Sequence, residues 1–194
     1  MVRRCAAILL LLGLALPLAP GFAADLPMAP IDEETVAVDY REGVYFANLS
    51  LRVGVPPALA LEVLTDFDHM AAFVPNLVSS RILSRSGNIY RIAQQGKANF
   101  GPFSFVFESE RRVELQPDGR LISQALSGST KYMRSELAVQ GSAGGTRINY
   151  QIEMAPDRWL PASIGTNFMR HELAEQFNAL AHEMERRHKS RAAR

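Results

Sequence analysis

From Thr35 onward the chain alternates between apolar and polar residues. Val36, Val38 and Tyr40 share one side of a first strand, which Glu42-Gly43 ends. From Val44 to Val53, Tyr45, Ala47, Leu49, Leu51 and Val53 fall on one face, with Asn48, Ser50 and Arg52 on the other. A period of two marks a strand with one buried face. The period changes at Pro56-Pro57. Pro57 suits the first turn of a helix, where its missing N–H is not needed. Leu59, Val63 and Phe67 then recur at i, i+4 and i+8, with Leu64 beside them. Asp66 or Asp68 is expected to cap a second short helix ending near Pro75.

Strands in series follow, each pair joined by a turn signal. Leu77 to Ser84 meets Ile89 to Gln95 across Ser86-Gly87-Asn88, and Phe103 to Leu115 meets Leu121 to Leu126 across Pro117-Asp118-Gly119. Tyr132 to Val139 meets Thr146 to Met154 across Gly141 to Gly145. Such a run predicts an antiparallel meander. Trp159-Leu160-Pro161 announces a last helix from about Ala162 to Arg187. At roughly 100° per residue, Gly165, Met169, Leu173, Gln176, Phe177, Leu180 and Met184 form one sector. His171, Glu175, Asn178 and His182 form the opposite one and are expected to face outward. The fold class is α+β, and no internal repeat or linker signals a second domain.

The stretch Val53-Gly54-Val55-Pro56-Pro57, then Leu64-Thr65-Asp66-Phe67, then Phe73-Val74-Pro75 resembles the opening of START-like domains of the SRPBCC superfamily, in the polyketide cyclase/dehydrase and coenzyme-Q-binding branch. Val78 to Leu83 resembles the strand that follows in that group, and Gly145-Thr146-Arg147-Ile148-Asn149-Tyr150 its late Gly-Thr-x-apolar-x-Tyr strand. The likeness runs from about Val44 to Glu185. One departure is Ser135-Glu136-Leu137, where members often carry Gly-x-Trp. The resemblance implies a helix-grip fold: a curved antiparallel sheet around the long C-terminal helix, with a cavity between them. It also implies an apolar guest such as a lipid, a quinone or a polyketide, and in a minority of members cyclisation or dehydration. Fold alone does not fix which.

Composition adds a compartment. Arg3 and Arg4 precede an apolar run from Ala6 to Leu18, and Gly21-Phe22-Ala23 offers small residues at a cleavage site. This predicts a signal peptide over residues 1–23, a flexible leader over 24–34, one domain over 35–189 and a basic tail over 190–194. The run is too short for an ordinary membrane span. The exported protein, expected in the periplasm, would lack Cys5, the only cysteine, and so depend on a hydrophobic core rather than disulfides. Losing Arg3 and Arg4 from 21 basic residues, against 20 acidic ones, leaves a net charge of about −1, which excludes electrostatic attraction to nucleic acid. Arg186, Arg187, His188, Lys189, Arg191 and Arg194 suit a helix C-terminus. Peripheral contact with anionic lipid is the lesser alternative.

Candidate chemistry follows from the inward faces. Phe103, Phe105 and Phe107 alternate with Ser104, Val106 and Glu108. Met133 and Leu137 on the next hairpin show the same alternation, as do Tyr150 and Ile152 on the last strand. Met169, Leu173 and Phe177 of the long helix stand opposite, and Phe73 belongs to the mouth. An adaptable Met and Phe wall suits a flexible apolar ligand, although a dry core would alternate in the same way. Arg111 has the parity of the three Phe residues, and from the end of an apolar cavity it could hold a ligand carboxylate or phosphate. A bulge near Ser109 would instead turn it to solvent.

Nothing assembles a catalytic set. There is no Gly-x-Ser-x-Gly elbow. Asp66, Asp68 and His69 could form an acid/base cluster, yet capping explains both aspartates. His171-Glu172-Leu173-Ala174-Glu175 narrowly misses the zinc-protease pattern, since Glu175 replaces the second His. The expectation is therefore an exported, non-enzymatic carrier of a lipid, isoprenoid or quinone-like molecule, with no cofactor and no metal. A cyclase/dehydrase-type enzyme and a protein-interaction module with a filled cavity are the alternatives.

Overall fold

The computed structural model describes residues 30–101, 103–157 and 161–194, with Phe103 described by its backbone only. The segment expected to be a signal peptide and the Trp159-Leu160 entry to the last helix lie outside the described residues. Eight strands form a single antiparallel sheet: β1 (Ala37–Arg41), β2 (Val44–Val53), β3 (Leu77–Ser86), β4 (Ile89–Phe100), β5 (Phe103–Leu115), β6 (Arg120–Gly128), β7 (Thr130–Ser142) and β8 (Gly145–Pro156). Their order is β1-β2-β8-β7-β6-β5-β4-β3. The meander from β3 to β8 is as the turn signals predict, and β8 closes back onto β2 with Leu51 opposite Ile148 and Leu49 opposite Tyr150.

Helix α1 (Pro57–Leu64) and a 3-10 helix (Phe67–Ala72) fill the connection from β2 to β3. Pro57 stands in the first turn of α1, where no donor is lost. Helix α2 (Ala162–Ala192) lies over the sheet and packs most closely on β1, β2 and α1. Together these make the helix-grip arrangement of a curved sheet around a long helix. No helix among the described residues is long and apolar enough to cross a membrane.

The tightest packing is at the end where α1 meets α2. Ala60, Val63, Ile148 and Met184 have no measurable exposure, and Val53 and Val55 very little. The valine, isoleucine and methionine side chains among them contribute about 1.5–3 kcal/mol each on burial, so this end anchors the domain. Thr146 donates to the Val55 carbonyl at 2.6 Å, tying β8 to the entry of α1. Gly165 brings the start of α2 onto β2, since a Cβ there would meet the Tyr45 hydroxyl at 2.1 Å.

The apolar sector of α2 is largely as the helical phase predicts, with Gly165, Met169, Leu173, Phe177, Leu180 and Met184 buried. Its opposite face is not simply solvent. Asn178 accepts from the Ile31 N–H at 2.8 Å and donates to the Ile31 carbonyl at 3.0 Å. His171 bonds to Glu33. Residues Ile31 to Val36 thus cross α2 and cover part of the face expected to lie outward, while His182 remains exposed. Their contacts come from residues about 140 positions away, beyond the reach of a local periodicity.

Candidate functional site

The inner face of the sheet is unevenly filled. Beneath β2 and the C-terminal half of α2 the side chains are close-packed, whereas Phe105, Phe107, Arg111, Tyr150, Ile152 and Met154 face inward and retain accessible surface. Helix α2 makes its closest approaches to the sheet over β1 and β2. The Phe105 and Phe168 rings meet at 4.5 Å and those of Tyr150 and Phe177 at 4.9 Å. Phe107 lies across Gly96 of β4, where a Cβ would come within 2.2 Å of its ring and 2.4 Å of the Asn76 carbonyl oxygen.

Most of the apolar residues expected here converge on this interior. Met133, Leu137, Met169, Leu173 and Phe177 are buried, and Ile152 packs against the core. The Phe103 side chain lies outside the described residues. Two aromatic residues escape the sequence reading. Phe168 sits one position before Met169, at the margin of the apolar sector, and Phe100 ends β4 with its ring 6.0 Å from that of Phe168.

Arg111 points inward. Across the sheet it pairs with Ile92 on β4, between Val113 opposite Tyr90 and Ser109 opposite Gln94. A bulge does occur here, but the skipped residue is Leu126 of β6, so the alternation of β5 runs on unbroken. One guanidinium nitrogen of Arg111 donates to the Gln94 amide oxygen. Gln94 in turn donates to Ser80 at 3.0 Å, with Met70 sulfur 3.6 Å away. Arg111 Nε is buried without a hydrogen-bond partner among the described residues, as is the Ser123 hydroxyl.

No carboxylate pairs with Arg111 among the described residues. Burial pushes its pKa down from the ordinary arginine value, and Tyr150 acts in the opposite sense. Burial likewise pushes the Tyr150 phenol up, while Ser135 and Arg111 pull it back. Ser135 faces inward, buried, beside that phenol. A cation, a phenol and small hydroxyls therefore form one polar patch in an otherwise apolar interior.

The mouth differs from expectation. Neither aspartate caps the 3-10 helix: its N-cap residue, Asp66, makes no side-chain capping bond. Asp66 instead accepts from Arg187 of α2 at 2.6 Å and contacts His69 Nδ1 at 2.6 Å. Asp68 accepts the Ile82 N–H of β3 at 2.7 Å. Tertiary charge pairing outcompetes the local cap. Burial alone would raise the Asp66 carboxyl, but hydrogen bonds from His69 and Arg187 outweigh it and hold the pKa below the ordinary carboxylate value. The Asp66 contact in turn raises His69 above the usual imidazole value. Arg187 also reaches Glu183 at 2.6 Å and Glu62 at 3.6 Å, and lies 5.8 Å from the centre of the Phe73 ring. Phe73 is partly buried against the core, so this ion cluster fastens the segment that leads to it.

Two depressions of about 470 and 340 Å³ open on the outer face of the sheet. Outward residues such as Asn48, Ser50, Glu136 and Gln151 line the first, and Ser79, Arg81 and Gln95 the second. Both face solvent, on the side of the sheet away from α2.

Comparison with known proteins supplies the family. A model described as polyketide cyclase / dehydrase and lipid transport matches residues 53–181, about two-thirds of the chain. No curated protein sequence matches it significantly. Among solved structures, a START superfamily protein from Mycobacterium smegmatis superposes with a TM-score of 0.62 at 11% identity, over 73% of this chain and 97% of that one. A STAR-related lipid transfer protein from Xanthomonas axonopodis gives 0.60 at 12% identity, over 78% and 99%. The Zhui aromatase/cyclase from a Streptomyces species gives 0.58 at 18% identity, over 74% and 95%. At these identities the likeness establishes the fold.

Proposed function

The chain belongs to the polyketide cyclase / dehydrase and lipid transport family, and from that premise we propose that it is an exported, non-enzymatic carrier of an apolar small molecule bearing one anionic head. The tail, of lipid, isoprenoid or quinone-like character, lies between the sheet and α2 among Phe105, Phe107, Ile152 and Phe177. The observation that carries this reading is Arg111: inward, and among the described residues without a carboxylate and with its Nε unpaired. A buried guanidinium left in that state costs stability, and groups kept at such cost cluster at binding sites. A ligand carboxylate or phosphate supplies the missing acceptor in bidentate geometry.

Native mass spectrometry of the gently purified protein tests this, with solvent extraction in parallel. An acidic amphiphile should co-purify. Long-chain fatty acids should raise the melting temperature more than alcohols of equal length. Melting temperatures unmoved by a range of lipid extracts would refute the reading.

A proton-transferring cyclase or dehydrase is the second reading, favoured by the Tyr150 phenol beside Arg111. A phenol held close to a cation can deliver a proton to, or hydrogen-bond, a developing enolate. Tyr150→Phe should then abolish turnover of a polyketide-like substrate while leaving its binding intact. Unchanged turnover would remove this reading.

A further inference from the structure

A second cluster lies outside the interior, where the N-terminal segment crosses α2. His171, Glu172 and Glu175 present ligand atoms within 4.8 Å of one another. The Glu33 carboxylate lies 2.8 Å from His171 Nδ1, which must therefore donate. In the neutral ring that tautomer leaves Nε2 as a lone pair, 3.9 Å from Glu175 Oε2. The spacing suits two ligands of one ion at about 2.0–2.2 Å each after small side-chain movements.

Glu172 is 7% exposed, and among the described residues the basic group acting on it is His171. The Asn76 amide donates to the Glu172 oxygens at 3.2 and 3.4 Å and to Glu175 at 3.1 Å. Two carboxylates, one of them buried, thus converge on a single neutral amide. Turning that amide about its last bond presents Oδ1 in place of Nδ2. Asn76 is held there by a left-handed backbone (φ 64°) and a bond from the Lys97 N–H to its carbonyl. The Phe100 ring, 5.7 Å from that of His171, closes the apolar side.

We propose that His171 Nε2, Glu172 and Glu175, with Asn76 Oδ1 or water as the fourth donor, bind a divalent transition-metal cation of the zinc type. One imidazole and two carboxylates suit a borderline cation better than calcium, which takes six to eight oxygens. Glu33 is the positioning residue, the carboxylate that fixes a liganding histidine's tautomer and orientation. The ion joins three distant stretches of chain, fastening the Glu33–Thr35 turn and the Asn76 corner to the middle of α2. The near miss to the zinc-protease pattern is thereby reinterpreted: Glu175 at i+4 keeps the ligand face and changes the donor.

The test uses the full chain stripped with chelator and titrated with zinc chloride by calorimetry, with melting temperature read in parallel. The expected result is one ion per chain and a raised melting temperature. Glu175→Gln, at a partly exposed position that folding tolerates, should weaken binding at least tenfold. Glu33→Gln should weaken it by about ten- to a hundredfold. Cobalt in place of zinc should give an intense tetrahedral visible spectrum that Glu175→Gln abolishes. Replacing His182 and His188 together should change nothing. No stoichiometric binding, or binding that survives Glu175→Gln but is lost with His182 and His188, overturns the proposal.

Discussion

Arg187 donates to Asp66 at 2.6 Å although the two are 121 residues apart, and both are about four-fifths buried. One bond therefore joins the end of α2 to the turn between α1 and the 3-10 helix, beside Phe73. Asp66→Asn should cost about 1–2 kcal/mol, after allowance for solvent at the rim, measured from urea denaturation midpoints. The pH dependence has a definite sign. The Asp66 pKa is depressed on folding, so its contribution is present above about pH 4 and lost as pH falls through the folded value. His69 is raised, so its part is complete below about pH 6.5 and lost as pH rises through its folded value. The gap between wild type and Asp66→Asn should close below pH 4. A gap constant down to pH 2 would mean that the pairing contributes nothing.

Arg111→Met separates stability from binding. Replacing a buried, carboxylate-free cation by a chain of similar length should stabilise the empty protein by about 1–3 kcal/mol. The same change should weaken fatty-acid binding at least tenfold and leave fatty-alcohol binding nearly unaltered. Chemical denaturation and calorimetry read the two effects independently. A destabilised variant with unchanged ligand affinity would make Arg111 a structural partner of Gln94 instead.

Gly165→Ala tests the closest approach of α2 to the sheet. An alanine usually favours a helix by about 1 kcal/mol over glycine. Here its Cβ would meet the Tyr45 hydroxyl at 2.1 Å and the ring at 2.4 Å, so overpacking should outweigh propensity. We expect a net loss of about 1–3 kcal/mol, seen as a lower melting temperature. A stabilised variant would show that α2 can lift from β2 without cost.

Local periodicity carried most of the fold. Alternation placed the strands but left the direction of Arg111 open, and the helical phase placed Met169, Leu173 and Phe177. What it missed depends on contacts distant in sequence. Glu172 and Glu183 are charged residues that a polarity pattern assigns to solvent, yet each is 7% exposed. Asn76 accounts for the first and Arg186 with Arg187 for the second. Asp66 reads locally as a cap because its ion partner lies at the other end of the chain. Gly96 gives no local hint that the Phe107 ring rests on it.

Two isoleucines of β8 measure how open the interior is. Ile148 and Ile152 point to the same inner face four residues apart, opposite Leu51 and Ala47 of β2. Ile148 is fully buried in the close-packed half, whereas Ile152 is only partly so. Truncating a fully buried isoleucine removes both transfer energy and packing, so Ile148→Ala should cost about 2–5 kcal/mol. Ile152→Ala gives up contacts on a surface already accessible, and should cost about 1 kcal/mol. The sign of the ligand effect should also differ. On the carrier reading an amphiphile would contact residue 152, so Ile152→Ala should reduce ligand-induced stabilisation, while Ile148→Ala should lower free and bound forms alike. Denaturation with and without a long-chain fatty acid supplies all four numbers. Equal losses at the two positions in the empty protein would mean a filled interior, and the carrier reading would then give way to that of an interaction module.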